Sequence, residues 1–155
     1  MITLIGFIVA TTPFILLFVN YGTQFKNEAG IEVPNWFFFY QGISYFAYRM
    51  LDEMDGKQAR KTGNSSPLGL IFDHGCDAFT IGTQALLFVK FCQAGDPMWS
   101  CSCIVAVLAS FYFSTLEEYY TGGLFLGLGN FITDGSVVVI GLYIVMGIWG
   151  NNFWI

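Results

Sequence analysis

Four aspartates between residues 52 and 77 are spaced as a group of metal ligands would be. Asp52 and Asp55 are three residues apart and Asp73 and Asp77 are four residues apart, so each pair shares one face of a helix. Both pairs adjoin apolar segments, where an unpaired carboxylate is costly. Four carboxylates that are brought together repel one another unless cations lie between them, and hard oxygen ligands suit Mg²⁺ or Mn²⁺. The spacing therefore predicts divalent cations that hold a pyrophosphate.

Nearby basic residues offer a competing explanation, in which the carboxylates form ion pairs with Lys57, Arg60 and Lys61. Three flexible bases do not match four acids at this spacing, which favours the metal site. Arg60 has a second use, because a guanidinium can fork onto two phosphate oxygens. Arg49 is an isolated cation inside an apolar segment, and we expect it to pair with Glu53, its i+4 neighbour.

Small residues and one histidine surround the aspartates. Gly56, Ala59 and Gly69 stand near the ends of two predicted helices, where small side chains let a nucleotide or another helix approach the backbone. His74 is the only histidine of the chain and follows Asp73 directly. A step of one residue turns it by about 100° from that aspartate. His74 is therefore either a packing residue or a general base that faces a different substrate.

The composition is that of a membrane protein. Hydrophobic residues make up 55% of the 155-residue chain, the mean hydropathy is +0.59 and charged residues are 11%, whereas soluble domains are about 45–50% apolar. So few charges could not cover the surface of a soluble all-α protein. Six basic residues form no patch, which disfavours nucleic-acid binding. The four cysteines lack zinc-site spacing and are expected to be free thiols.

Five apolar segments predict an all-α integral membrane protein, a bundle of about five transmembrane helices. They cover about Ile2–Tyr21, Trp36–Leu51, Gly69–Gln93, Met98–Leu116 and Gly135–Trp149, and the second is expected to continue as a helix into the aspartate motif. Basic residues cluster beside the connection from the second segment to the third, which places that connection in the cytosol. Alternation of the segments then puts the aspartates and the pair Glu117 and Glu118 on the same cytosolic face. The sequon at Asn64 lies in this connection, so we expect it to be unused.

The central pattern resembles the signature of the CDP-alcohol phosphotransferases at every fixed position. It reads Asp52-x2-Asp55-Gly56-x2-Ala59-Arg60-x8-Gly69-x3-Asp73-x3-Asp77. The surrounding sequence is similar to the eukaryotic choline/ethanolamine phosphotransferase branch. That similarity lies in Phe72-Asp73-His74-Gly75-Cys76-Asp77, in Glu117-Glu118-Tyr119-Tyr120-Thr121-Gly122 and in the opening Met1-Ile2-Thr3-Leu4-Ile5-Gly6.

The resemblance implies a role for each group of residues. Metal ligands for two divalent cations, Mg²⁺ or Mn²⁺, would be Asp52, Asp55, Asp73 and Asp77. The cytidine-diphosphate cradle would be Gly56, Ala59, Arg60 and Gly69. Glu117 and Glu118 would lie around the choline or ethanolamine headgroup, where a carboxylate suits a cationic group. His74 would be the base that acts on the acceptor alcohol, with Asp77 as the other candidate.

The implied reaction transfers phosphocholine or phosphoethanolamine from CDP-choline or CDP-ethanolamine to diacylglycerol and releases CMP, in phospholipid biosynthesis. The expected location is the endoplasmic reticulum or Golgi membrane, with the site facing the cytosol. A second copy of the chain is a further candidate partner. One alternative is a family member with another acceptor, such as inositol or glycerol phosphate, for which more basic residues are expected. A divalent-cation channel would instead spread its acids across the membrane depth.

Residues 1–155 are expected to form one catalytic region that is an incomplete version of a larger bundle. The family core has six membrane helices and the eukaryotic branch adds four, whereas five are predicted here. The Pro-Asn pair that usually precedes the first helix is not present, and Leu70 stands where close relatives have glutamate. A catalytically inactive truncated protein that associates with a full-length relative is therefore a further alternative.

Overall fold

The computed structural model describes residues 2–23, 32–63, 66–93, 96–122 and 133–150. These ranges hold five α-helices and no strand. The helices are α1 (Ile2–Tyr21), α2 (Asn35–Thr62), α3 (Pro67–Phe91), α4 (Pro97–Thr121) and α5 (Thr133–Trp149). Helices α1 and α4 are each long and apolar enough to cross a membrane, and α5 is a shorter apolar helix. The prediction of five helices is confirmed within the described residues. The predicted unused glycosylation sequon at Asn64 lies outside the described residues.

Helix α2 continues as one helix through the first two aspartates to Thr62, well past its apolar part. The residues beyond Leu51 are mostly good helix formers, and nothing in that stretch breaks the helix before Gly63. Gly63 then ends α2 with a left-handed backbone (φ +68°), and its N–H bonds back to the last carbonyls of the helix. Ser66 caps the start of α3 by accepting a hydrogen bond from the Gly69 N–H at 3.1 Å. These two caps set the short connection between the aspartate pairs.

Apolar side chains form the core at the ends of α1, α2 and α3 that lie far from the aspartates. Helix α1 packs on α2 and α3, α2 packs on α5, and α3 packs on α4. Phe91 and Tyr143 meet edge to face with 5.5 Å between ring centroids. The buried cluster around them contains Leu17, Val33, Phe37, Phe38, Leu87 and Met146. The four cysteines are unbridged, as expected.

Two buried polar links join the helices along their length. Gln41 donates to the side-chain oxygen of Gln84 at 2.5 Å, and Gln84 donates to the Ala10 carbonyl at 3.3 Å. These bonds tie α2 to α3 and α3 to α1. The Lys90 ammonium donates to the carbonyls of Tyr21 at 3.1 Å and Gly22 at 2.8 Å, so it caps the carboxyl end of α1, where backbone acceptors lack partners.

Candidate active site

The polar ends of α2 and α3 bring three carboxylates together. Asp52, Asp55 and Asp73 each offer one oxygen that lies within 4.8 Å of the other two. Two of them come from successive turns of α2, and the third comes from the start of α3, after the four-residue connection 63–66. Three of the four aspartates that the sequence groups as ligands therefore converge at one point.

The partners of these three carboxylates leave room for a cation. Thr3 Oγ1 donates to Asp55 Oδ2 at 2.5 Å, and Arg49 Nη1 donates to Asp52 Oδ2 at 3.0 Å. Asp73 Oδ1 is buried, yet it has no hydrogen-bond partner among the described residues. Because a buried carboxylate oxygen without a partner is costly, the set is suited to a hard divalent cation, which oxygen ligands of this kind bind. The three side chains fit a metal ion.

The electrostatics of Asp52, which lies just beyond the apolar part of α2, also favour a bound cation. Burial raises the pKa of this carboxyl to about 7, and the nearby charge of Asp77 adds to the increase while Arg49 opposes it. One guanidinium thus compensates the group only in part. A carboxyl of this kind needs either a proton or a cation near neutral pH.

The expectation that Arg49 pairs with Glu53 was wrong. Arg49 binds Asp52, and both side chains are 16% exposed. Glu53 instead lies 3.4 Å from the Lys57 ammonium, with 41% and 70% of the two side chains exposed. The physical reason is solvation, because a half-buried carboxylate gains more from a counter-charge than one in water does.

Asp77 is not one of the three clustered carboxylates, although it lies close enough to Asp52 to raise the pKa of that carboxyl. It lies one helical turn beyond Asp73, and its Oδ1 accepts a hydrogen bond from the Tyr48 hydroxyl. Tyr48 is 5% exposed and was not identified from the sequence. A signal did exist, because Tyr48 precedes Asp52 by four residues and so lies on the same face of α2. The ligand role of Asp77 stays a prediction.

His74 faces a carboxylate of the neighbouring helix. Its Nε2 is 3.5 Å from Glu118 Oε2, and about a third of each side chain is exposed. Helix α4 runs to Thr121, past the predicted end at Leu116, so both glutamates belong to its last turns. Glu118 is half-buried at the site, whereas Glu117 is exposed. The roles of the two glutamates near a headgroup stay predictions.

A cavity of about 380 Å³ opens beside the clustered carboxylates. Asp55 and Asp73 are in its wall, together with Thr3 from α1. The wall also contains all four residues of the expected nucleotide cradle, which are Gly56, Ala59, Arg60 and Gly69. The volume is within the range of small-molecule sites. The structure thus places the small residues and the arginine around one space next to the acids.

A second cavity, of about 420 Å³, has a mostly apolar wall contributed by α2, α3, α4 and α5. Tyr45, Ile81, Phe88, Val107 and Phe111 are among its lining residues. Its charged members are Arg49 and Asp77, and Tyr48 lies beside them. The acidic side chains are thus shared between two cavities, one bounded by the nucleotide-type residues and one bounded by apolar side chains.

A membrane-embedded helical bundle with a carboxylate cluster at the polar ends of two helices is the class that this fold and site define. The family model described as CDP-alcohol phosphatidyltransferase matches residues 1–151. The chain belongs to the CDP-alcohol phosphatidyltransferase family. Members of this family are membrane proteins, so the predicted all-α integral membrane class is confirmed, as is the resemblance on which the site roles were based.

Three relatives illustrate the range of similar proteins. An uncharacterised CDP-alcohol phosphatidyltransferase class-I family protein from Schizosaccharomyces pombe is 40% identical over 157 residues, covering 100% of this chain and 39% of its own length. Choline/ethanolaminephosphotransferase 1 from Arabidopsis thaliana is 36% identical over 155 residues, and the match covers 99% of this chain and 38% of that relative. Cholinephosphotransferase 1 from Danio rerio is 33% identical over 154 residues, and the match covers 99% of this chain and 39% of that relative. The chain therefore spans less than two fifths of the length of these relatives.

Proposed function

We propose that residues 1–155 form the catalytic region of a transferase that moves phosphocholine or phosphoethanolamine from CDP-choline or CDP-ethanolamine to diacylglycerol. CMP is the second product, and the reaction belongs to phospholipid biosynthesis. The observation that carries the proposal is the position of the aspartates between a cavity with nucleotide-type residues and an apolar cavity. The printed names of the Arabidopsis thaliana and Danio rerio relatives support the choice of headgroup.

The first cavity would hold the CDP-alcohol. Gly56, Ala59 and Gly69 leave space for the nucleotide to approach the backbone, and Arg60 can donate two parallel hydrogen bonds to phosphate oxygens. Mg²⁺ or Mn²⁺ ions, two in number, would be held by the clustered carboxylates and by Asp77. When bound, such ions neutralise the pyrophosphate and polarise the phosphorus under attack.

The second cavity would admit the diacylglycerol. Its apolar wall suits acyl chains, whereas a water-soluble acceptor such as inositol or glycerol phosphate would find little polar surface there. Its cation, Arg49, is already engaged by Asp52 at 3.0 Å. This arrangement favours a lipid acceptor over an anionic one.

His74 is the better of the two candidate bases. Its imidazole accepts the hydroxyl proton of the acceptor while the freed electron pair attacks the phosphorus and the bond to the CMP oxygen breaks. Glu118, at 3.5 Å, fixes the ring and stabilises the imidazolium that forms. Asp77 is less suited, because one of its oxygens already accepts the hydrogen bond from Tyr48 and its carboxylate is proposed as a metal ligand.

The proposed orientation puts this site on the cytosolic face of the endoplasmic reticulum or Golgi membrane. Lys57, Arg60 and Lys61 lie at the same end of α2 as the aspartates, and basic residues favour the cytosolic side. CDP-alcohols, which are soluble and charged, would then reach the first cavity directly from the cytosol.

The test is a transfer assay in microsomes that lack endogenous choline and ethanolamine phosphotransferases. Labelled CDP-choline or CDP-ethanolamine is supplied with diacylglycerol, and labelled lipid and CMP are both measured. The chain is assayed alone and as a fusion with the remaining helices of the Arabidopsis thaliana relative, with Asp73→Asn as the matched control. We expect equal amounts of labelled lipid and CMP, both lost in Asp73→Asn. Inserted protein without transfer in either form would favour the inactive alternative, and product with inositol or glycerol phosphate would favour another acceptor.

A further inference from the structure

Helices α1 and α2 approach each other closely at Gly6. A Cβ atom placed on Gly6 would lie 3.5 Å from Leu51 Cβ and 3.5 Å from a ring carbon of Tyr48. Thr3 precedes Gly6 by about one turn of α1, and Asp55 follows Leu51 by about one turn of α2. The small residue at the contact thus lets the two polar ends meet, and Thr3 Oγ1 reaches Asp55 Oδ2 at 2.5 Å.

The hydroxyl of Thr3 is used differently from the other threonine hydroxyls of α1. Thr11 donates to the Phe7 carbonyl at 2.8 Å, and Thr12 donates to the Ile8 carbonyl at 2.6 Å. A bond to the carbonyl four residues earlier is the usual way to satisfy a threonine in a helix. Thr3 lies in the first turn of α1, where no carbonyl of that helix lies four residues earlier, and its hydroxyl bonds across to α2. Its side chain also lines the first cavity beside Asp55.

From this contact we infer that Thr3 is a positioning residue for Asp55 as a metal ligand, an inference that rests on the proposed function. An ionised carboxylate has about four lone-pair sites, so one bond from a hydroxyl restricts its rotation and leaves both oxygens able to accept a cation. Outer partners of this kind orient a ligand before the metal arrives, and their loss typically lowers metal affinity by about 10–100-fold. Thr3 therefore pre-sets the Asp55 carboxylate from a helix that carries none of the aspartates.

The experiment measures binding of Mn²⁺ alone to the purified full chain in lipid nanodiscs, with free Mn²⁺ followed by electron paramagnetic resonance. Thr3→Val removes the hydroxyl and keeps nearly the same side-chain shape. Thr3→Ala also removes the hydroxyl and introduces a residue with a high helix propensity, whereas Thr3→Ser retains the hydroxyl. Thr12→Val is the matched control, because it deletes a hydroxyl that serves only its own helix. We expect Thr3→Val and Thr3→Ala to weaken Mn²⁺ binding by about 10–100-fold, while Thr3→Ser and Thr12→Val stay close to the unmodified chain.

The outcomes separate this inference from the proposed function. Unchanged Mn²⁺ affinity in both Thr3→Val and Thr3→Ala, with Asp55→Asn impaired, would overturn the positioning role and leave the metal site standing. An unmodified chain that binds no more Mn²⁺ than Asp55→Asn would overturn the metal site and the inference together. Circular dichroism shows which variants are folded, and Thr3→Ala alone decides the matter if the valine variant is not.

Discussion

His74 of α3 and Glu118 of α4 face each other with 3.5 Å between Nε2 and Oε2. The carboxylate cluster comes from α2 and α3 alone, and Glu118 is the acidic side chain that α4 places beside His74. Helix α4 otherwise packs on α3 and exposes large side chains such as Trp99, Tyr112 and Phe113. The proposed proton transfer therefore depends on a helix that is held by few other neighbours in the described structure.

A double-mutant cycle tests whether Glu118 acts through His74. We expect His74→Ala to lower turnover by about 10²–10⁴-fold, the scale of general-base catalysis, with little change in the KM for CDP-choline. Glu118→Gln should lower turnover less, and it should add nothing in the His74→Ala background. Glu53→Gln is the control, since Glu53 is exposed and pairs with Lys57 of its own helix. Additive losses in the double variant would show that Glu118 works independently of the histidine.

Metal removal should abolish transfer, and added Mg²⁺ or Mn²⁺ should restore it. The reason is the incomplete compensation of the clustered carboxylates, above all the unpartnered oxygen of Asp73. Asp55→Asn and Asp73→Asn should abolish transfer while the protein still inserts into membranes. Full transfer in excess chelator would remove the metals from the mechanism.

Metal-free protein should be more stable when Asp73 is neutralised. Asp73→Asn removes one charge from three crowded carboxylates, so we expect its thermal midpoint in chelator to rise by about 2–4 °C, the change that corresponds to about 1 kcal/mol in a chain of this size. Mn²⁺ should stabilise the unmodified chain and leave the variant unchanged. A midpoint in chelator that falls on substitution would mean that the carboxylates do not repel one another appreciably.

Tyr48→Phe tests the hydrogen bond to Asp77. The change deletes only the hydroxyl that holds this carboxylate, and we expect transfer activity to fall about 10–100-fold if Asp77 is a ligand, as for other outer partners. Tyr45→Phe makes the same change to a ring that stacks on Tyr48 at 6.2 Å and lines the same cavity. Equal effects of the two substitutions would point to a change in the cavity wall instead.

Lys90→Met should destabilise the bundle and leave the specific activity of the folded protein intact. The ammonium donates to two carbonyls at the end of α1, and loss of hydrogen bonds from a charged group costs about 1.5–3 kcal/mol. Chemical unfolding in mixed micelles measures the change. Lys57→Met, at a side chain that is 70% exposed, should have almost no effect on stability, and a comparable loss there would refute the capping role of Lys90.

The sequence was sufficient for the helices, because uninterrupted apolar length is a one-dimensional signal. It was less sufficient for their ends, since α4 continues to Thr121, past its apolar part and past its predicted end at Leu116. Contacts between helices could not be predicted, because they depend on where two helices cross. Thr3 meets Asp55 only through the close approach at Gly6, and Tyr48 meets Asp77 only because long side chains bridge α2 and α3 at this point.

The four residues expected to form a nucleotide cradle were named by resemblance, and they line one cavity. The partner of Arg49 was mispredicted for a different reason. Spacing alone allows an i+3 or an i+4 pair, and only the burial of Asp52 decides between Asp52 and Glu53.

The short connection between α2 and α3 has a consequence for the order in which the protein is built. The clustered aspartates lie on two helices joined by residues 63–66, so little chain entropy is lost when they meet. Such local contacts form early, whereas contacts between distant segments form late. We therefore expect the acidic cluster to assemble when the α2–α3 hairpin enters the bilayer during synthesis. The pairing of His74 with Glu118 must wait until α4 has followed, so the proposed cation site would form in the nascent chain before Glu118 can orient the proposed base.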